Sequence, residues 1–148
     1  PFAIGVNNHM GSLLTQMQSP MAWTMDFLRQ NQLFFVDSKT SRFSLAEEQA
    51  DMLGVTCFHR NVFIDNDLST AAMTKQFKHL VRIAQKYHRA IGIAHPYPET
   101  IKFLKQHLPT LKKYGVKLVP ISTLLPSEVT AVRTKTLTVT NNLKTASK

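Results

Sequence analysis

Apolar residues recur along the chain in short runs, separated by longer segments in which apolar and polar positions are interleaved. The longer segments place apolar residues three or four positions apart, a spacing that predicts helices with one buried face. The short runs favour strands, and they occupy residues 2–6, 33–36, 55–58, 90–94 and 116–121. The run at 90–94 is small and continuously apolar, which is typical of a parallel strand buried on both faces.

Helix ends are marked by capping residues and glycines. Ser19 precedes a proline and predicts an N-cap, while Ser44 and Glu47 fit a capping box that opens a second helix. Gly54 is expected to end that helix, and Gly115 to end a later helix that begins near Pro98-Glu99 and is interrupted at Pro109. A long helix after a turn at 66–70 is expected to bury Met73, Phe77, Leu80, Val81 and Ala84.

The resulting order is βαβαβαβαβ, which predicts a parallel sheet with right-handed crossovers. Such a sheet is either open and doubly wound or part of a (β/α) barrel. Residues 1–126 are predicted to form this domain. Residues 127–148 are rich in Thr, Ser, Lys and Asn, and we expect a flexible basic tail in which residues 137–139 pair weakly as a strand at most.

Composition limits the classes of protein that the chain can represent. Its 43% hydrophobic content favours a folded domain, and no apolar run approaches the ~18 residues that span a bilayer. The chain opens on an apolar run without an initiator Met, so we interpret it as a fragment whose export signal would lie upstream. Cys57 is the single cysteine, which excludes an internal disulfide, and its apolar surroundings predict a buried, unreactive thiol.

The net charge of +9 is unevenly distributed. Residues 1–74 carry a net charge of −3, residues 75–117 carry +9, and the remainder carries +3. We favour solvated helix faces and a basic tail over a surface for nucleic acid or another polyanion. No aromatic residues alternate with the lysines as a base-stacking platform would require, so no nucleic-acid partner is expected.

Polar residues capable of chemistry follow the predicted strands. In parallel α/β folds the active site lies at the carboxyl ends of the strands, so these side chains are candidates for one site. The strand ends carry Asn7-Asn8-His9, Asp37-Ser38, Arg60 with Asp65 further along the same loop, His95, and Ser122.

Each candidate has a structural alternative. His9 and His95 are either metal ligands or ordinary loop histidines held by the backbone. Asp37 is a cap, a metal ligand or a proton acceptor, and Arg60 and Asp65 can form an ion pair that shapes the site or merely holds the loop. Phosphate-binding loops, nucleophile elbows and H-E-x-x-H motifs are absent, so metal-assisted hydrolysis fits the Asp and His residues best.

Taken together, these segments resemble the divergent polysaccharide deacetylase family. The likeness covers about residues 3–125 and ends near Leu118–Ser122. Its motifs, in the expected order, are Gly5–Ser12, Phe34–Thr40, Arg60–Asn66 and Ile91–Thr100.

The resemblance implies a deformed, parallel-stranded (β/α) barrel of the polysaccharide deacetylase type, incomplete at its N-terminus. It implies a metal-dependent hydrolase that uses zinc. This hydrolase would remove acyl groups from a carbohydrate polymer in the bacterial periplasm or cell envelope. His9 and His95 would hold the metal. The catalytic positions would be Asp37, Arg60, Asp65 and His95, and the substrate-binding positions Asn7, Asn8 and Ser38.

Two departures from the family pattern leave an alternative open. The paired aspartates that end an early strand in the family would lie before Pro1. Leu13 stands where deacetylases of the wider superfamily place a second histidine, four residues after the first. The alternative is therefore a non-catalytic glycan-binding or envelope protein on the same fold.

Overall fold

The structure is a computed structural model that describes residues 3–126. The predicted tail at 127–148, with its possible strand at 137–139, lies outside the described residues. The chain divides after Leu118 into two compact units. The first contains all of the sheet strands described below. In the second, residues 119–126 are described and contain a short 3-10 helix at Ile121–Leu124.

Five short strands pair in parallel and form two sheets within the described residues. In the first sheet the order is β1-β2-β3, and in the second β4 pairs with β5. Their bounds are β1 Gly5–Asn7, β2 Phe34–Asp37, β3 Cys57–His59, β4 Val62–Phe63 and β5 Gly92–Ile93. This arrangement confirms the predicted mixed α/β class with parallel strands.

Strands β3 and β4 are consecutive parts of one bent strand. Only Arg60 and Asn61 separate them, and no helix lies between them. On one side the Arg60 amide donates to the Asp37 carbonyl at 2.9 Å, and on the other the Asn61 amide donates to the Ile91 carbonyl at 2.8 Å. The Asn61 side chain also accepts from the Ile91 amide at 2.7 Å, so the bend joins the two sheets at one edge.

In the described part of the chain, four α-helices connect and cover the strands. They are α1 Gln18–Gln30, α2 Ala46–Leu53, α3 Thr70–Tyr87 and α4 Pro98–His107. Short 3-10 helices occupy Leu14–Gln16 and Leu108–Tyr114. Within residues 3–126, no helix combines the length and the apolar character needed to cross a bilayer.

Local sequence explains several of these boundaries. Ser69 caps α3 by accepting a hydrogen bond from the Ala72 amide. Gly54 and Gly115 adopt left-handed conformations, with φ of 69° and 67°, and end α2 and the 3-10 helix after α4 as the sequence predicted.

Two hydrophobic clusters form the core of the first unit, one in each half of the sequence. In the first half, α1 and α2 pack on β2, and the buried members are Met21, Met25, Leu28, Phe35, Ala46, Ala50 and Val55. In the second half, α3, α4 and the following 3-10 helix pack around β4, and the buried members are Val62, Ile64, Met73, Phe77, Val81, Phe103 and Leu111.

Three sequence predictions about helix starts and the last strand are wrong. Helix α1 begins at Gln18 with Met17 at the N-cap, so Ser19 does not cap it. Helix α2 begins at Ala46 with Leu45 at the N-cap. The Ser44 hydroxyl donates to the Asp37 carboxylate and accepts from the Ala46 amide at 3.3 Å, so the expected box with Glu47 does not form. No strand forms at 116–121 in the described chain, where Pro120 lacks a backbone donor and leads into a 3-10 helix.

The run at 90–94 also differs from its prediction. Only Gly92 and Ile93 form a strand, and Gly92 and Ala94 are exposed. Strand β5 has one partner among the described residues, so it lies at a sheet edge and is not buried on both faces.

Candidate functional site

The parallel strands bring residues from distant parts of the sequence to one edge. His9 follows β1 and His95 follows β5, and their imidazole rings meet edge to face with centroids 5.8 Å apart. His9 is exposed, whereas His95 is partly buried. The structure therefore brings together the two histidines that the sequence predicted as metal ligands.

His95 is held in place by a buried aspartate from the neighbouring strand. Its backbone amide donates to Asp65 Oδ2 at 2.6 Å, and its Nδ1 lies 3.1 Å from Asp65 Oδ1. The Thr100 hydroxyl donates to the same carboxylate at 2.9 Å. Because a carboxylate only accepts hydrogen bonds, Nδ1 is the donor in this contact, which in the neutral imidazole places the lone pair on Nε2.

The burial of these groups matches that assignment. The Asp65 side chain is 0% exposed, while the His95 side chain is 31% exposed. A buried carboxylate is stable only when its oxygens are bonded, and here they accept from His95 and Thr100. Asp65 therefore acts through His95 and does not itself face solvent.

Aromatic side chains enclose the His95 ring. Phe63 stacks on it with an interplanar angle of 6° and a centroid distance of 6.1 Å, and Tyr97 lies 5.3 Å away at 33°. The Arg60 guanidinium lies over the Phe63 ring, 4.1 Å from its centroid. These contacts restrict the rotation of the imidazole and add to the orientation that Asp65 imposes.

Arg60 binds backbone and not a carboxylate. Its Nε donates to the Ser38 carbonyl at 2.6 Å and its Nη2 to the Lys39 carbonyl at 2.8 Å. Burial lowers the pKa of Arg60, and the nearby Asp37 charge partly opposes that shift. Arg60 and Asp65 form no ion pair with each other in the described structure, so the sequence prediction of that pair is wrong; each side chain has nearer partners.

Asp37 caps the loop that follows its own strand. Its Oδ1 accepts from the Lys39 amide at 2.8 Å and its Oδ2 accepts from the Ser44 hydroxyl at 2.7 Å. The residue is 2% exposed. Of the alternatives that the sequence left open, these contacts favour the cap, and a catalytic role stays a prediction.

The three predicted substrate-binding residues hydrogen-bond to one another. Asn7 Nδ2 donates to the Ser38 hydroxyl at 3.1 Å and to the Val36 carbonyl at 2.6 Å. The Ser38 amide donates to Asn8 Oδ1, and the Ser38 hydroxyl donates to the Asn8 carbonyl, each at 2.6 Å. This latch fixes the end of β1 against β2, immediately before His9. Contact with a substrate stays a prediction.

The donor set suits a divalent metal in part. With metal–nitrogen bonds of about 2.0–2.1 Å, two imidazoles that share a tetrahedral ion have centroids roughly 5–6 Å apart, which the observed 5.8 Å matches. Metal-binding histidines usually donate their other ring N–H to a carboxylate, as His95 does to Asp65. No group of three or more His, Cys, Asp or Glu residues in residues 3–126 is placed to hold an ion. Metal binding by His9 and His95 stays a prediction.

Sequence reasoning missed three side chains of the site. Thr100 was not singled out, although it is a fully buried polar residue in the first turn of α4. Phe63 and Tyr97 lie inside motifs that carry the resemblance, but nothing in their spacing shows that they flank His95. Ser122 belongs to the separate second unit and is not assigned to this site.

One family model and two relatives match most of the chain. The model for "Divergent polysaccharide deacetylase" matches residues 1–125. An uncharacterized protein of Haemophilus influenzae is 38% identical over 126 residues, which covers 85% of this chain and 45% of that protein. Uncharacterized protein YibQ of Escherichia coli is 35% identical over 125 residues, covering 84% and 39%. The chain thus spans less than half the length of these relatives.

A solved structure shows the same fold. The crystal structure of an uncharacterized protein from Agrobacterium tumefaciens C58 superposes with a TM-score of 0.80 at 25% sequence identity. The match covers 82% of this chain and 50% of that one.

Proposed function

Because the chain belongs to the divergent polysaccharide deacetylase family, we propose that it forms part of a metal-dependent hydrolase that removes acyl groups from a carbohydrate polymer. The observation that carries this proposal is the meeting of His9 and His95, with Asp65 orienting the second ring. The whole domain in our proposal is a deformed (β/α) barrel, and its substrate is a polysaccharide of the bacterial periplasm or cell envelope.

The metal in this proposal is zinc, held by His9 and by Nε2 of His95. A further ligand would come from outside residues 3–126, and the longer relatives have room for one. When bound, such an ion supplies a Lewis acid that polarises an acyl carbonyl and lowers the pKa of water toward ~7.

The chain's own residues prepare the site for that chemistry. Asp65 keeps the proton on Nδ1 of His95, which leaves Nε2 free to bind the ion or, in an alternative role, to take a proton from the attacking water and then give it to the leaving group. Tyr97 is 44% exposed beside His95 and offers a ring face against which a sugar can lie. Arg60 and Asp37 hold the loop after β2, on which the latch before His9 depends.

The test uses the full-length protein and compares His9→Ala with His79→Ala. His79 is an exposed residue of α3, far in sequence from the site, and serves as the matched control. We expect the wild type and His79→Ala to bind zinc and to release acetate from acetylated envelope polymers, with the release stopped by a chelator. His9→Ala is expected to lose both. Unchanged zinc content in His9→Ala would remove His9 from the metal site and overturn the proposal.

A second candidate is a non-catalytic glycan-binding protein on the same fold. It is favoured by Leu13, which is 74% exposed at the position where related deacetylases of the superfamily have a histidine. It predicts glycan binding that survives a chelator, together with no acyl release from any acetylated polymer. Acetate release that depends on metal would exclude it.

A further inference from the structure

Helix α3 presents a row of cations to solvent. Lys75, Lys78, Arg82 and Lys86 follow one another at spacings of three or four residues, which places them on one face of the helix. All four are exposed, and we refer to them as the basic stripe. The opposite face of the helix is buried through Met73, Phe77 and Val81. With a rise of about 1.5 Å per residue, the basic stripe is roughly 16 Å long.

The charges of the basic stripe are not neutralised within the described chain. Helix α3 contains no acidic residue, and none of the four cations forms an ion pair with any residue in 3–126. Parallel positive charges that no carboxylate offsets repel one another, which favours an external anion.

A groove runs beside the basic stripe. It has a volume of about 350 Å³ and lies between α3 and the 3-10 helix at Leu108–Tyr114. Gln85 Nε2 donates to the Tyr114 carbonyl at 2.8 Å and holds these two elements together. The groove is lined by Phe77, Lys78, Val81, Arg82, Gln85 and Tyr114. Its floor is apolar and its rim is cationic, and the adjacent Lys112 and Lys113 extend the positive surface.

We propose that the basic stripe and this groove dock onto a membrane surface of acidic phospholipids. Charge complementarity identifies the partner as anionic, and each Lys or Arg close to such a surface contributes to binding. Tyr114 lines the groove and is 43% exposed. Tyrosines with a polar tip and an apolar ring are typical of the membrane interface. The stripe is a single row on a convex helix, whereas single-stranded nucleic acid is bound in a charged groove with stacking platforms.

The experiment measures binding of the full chain to vesicles of phosphatidylcholine with and without phosphatidylglycerol, by co-sedimentation at several salt concentrations. The stripe variant replaces its four cations by Gln. The control variant replaces Arg29, Arg42, Lys102 and Lys105 by Gln and removes the same net charge from other exposed positions. Circular dichroism checks that both variants are folded. A third variant, Lys78→Gln/Arg82→Gln, removes two of the four charges and is measured beside them.

We expect binding only to the vesicles with phosphatidylglycerol, and we expect it to weaken as salt rises. Each cation is expected to contribute about fivefold, so the stripe variant should bind roughly 600-fold more weakly and the control close to wild type. Equal binding to both kinds of vesicle, or equal losses in the stripe and control variants, would overturn the proposal. So would tighter, stripe-dependent binding to an RNA or DNA oligonucleotide than to the acidic vesicles at the same salt.

Discussion

Two buried aspartates stand at strand ends, one in each half of the first unit, and their partners differ in a consistent way. Asp37 bonds to Lys39 and Ser44, two and seven residues further along the chain. Asp65 bonds to His95 and Thr100, 30 and 35 residues away. The first carboxylate stabilises its own loop, whereas the second fixes a ring that belongs to another strand. Similar position and burial therefore do not imply a similar role.

The difference follows from what each half places next to its aspartate. In the first half the chain turns back over the end of β2, so loop donors reach Asp37 before any other strand does. In the second half β5 lies beside β4, and the His95 amide reaches Asp65 directly. A local cap contributes stability only, but a contact between strands can set the tautomer of a histidine.

The sharpest test of this comparison, and the largest expected effect, is the pair Asp65→Asn and Asp37→Asn in the full-length protein. At position 65 an amide can present its NH₂ group to Nδ1, which would move the imidazole proton to Nε2 and remove the lone pair there. We expect zinc affinity or acetate release to fall by about 10–100-fold. Asp37→Asn is expected to reduce activity far less than Asp65→Asn and to lower the free energy of unfolding by about 1 kcal/mol.

Nitrogen NMR of the His95 ring distinguishes orientation from general damage. In wild type the proton should reside on Nδ1, and in Asp65→Asn on Nε2, while Asp37→Asn should leave the ring spectrum unchanged. Equal losses of activity in the two variants, with the same tautomer in both, would show that Asp37 and Asp65 have the same role. The proposed difference between a local cap and an orienting contact would then be wrong.

The same contrast explains how much of the fold could be predicted from the sequence. The inward face of α3 and the glycine ends at Gly54 and Gly115 are local patterns, and the structure confirms them. The bend at Arg60 and Asn61 was not predictable, because it depends on hydrogen bonds to β2 on one side and to Ile91 on the other. Ser44 lies one residue before the observed N-cap, Leu45, and its hydroxyl bridges the Asp37 carboxylate and the Ala46 amide, an arrangement that the sequence pattern did not show.

The candidate site shows the same distinction between features that local sequence predicts and features that depend on contacts between distant segments. Strand-end position was enough to predict that His9, Asp37, Asp65 and His95 lie at one edge, because parallel strands share their direction. Which carboxylate pairs with which histidine depends on the order of strands in the sheets, which one sequence does not determine. Thr100 was missed because its role appears only when α4 packs its first turn over Asp65.

A second prediction uses a glycine at a sheet edge in each half. A methyl group at Gly5 would lie 2.4 Å from the Phe34 ring, which is 5% exposed and packs against Phe58. At Gly92 the nearest atom, 2.7 Å away, is the flexible end of Leu80. We expect Gly5→Ala to lower the free energy of unfolding by about 1–3 kcal/mol, and Gly92→Ala by less than about 1 kcal/mol.

Urea denaturation of the two glycine variants measures these free energies directly, and the slopes should match wild type because the exposed surface is unchanged. A larger loss for Gly92→Ala than for Gly5→Ala would show that the second half is the more rigid one at this edge. That result would reverse the expected ranking of the two edge strands.

The smallest expected effect concerns the thiol of the more acidic first half. Burial raises the pKa of Cys57 to about 12, and the charges of Asp37, Glu47 and Asp51 add to the shift. From pH 9, the ordinary value, up to about 12 the unfolded thiol ionises while the folded one stays neutral, so folding stability is full below pH 9 and falls as the pH rises. At pH 8 the native thiol should therefore react with a disulfide reagent far more slowly than the unfolded chain does.

Comparison with Cys57→Ala separates this contribution from other groups that titrate at high pH. The difference in unfolding free energy between wild type and variant should be constant below pH 9 and should shrink above it, because only the wild type can lose stability through the thiol. The cations of the basic second half would lower the pKa of a thiol, so they cannot produce this loss of stability above pH 9. A native Cys57 that reacts as fast as the unfolded one at pH 8 would mean that the carboxylates and the burial around β3 do not control it. The sequence prediction of an unreactive thiol would then fail as well.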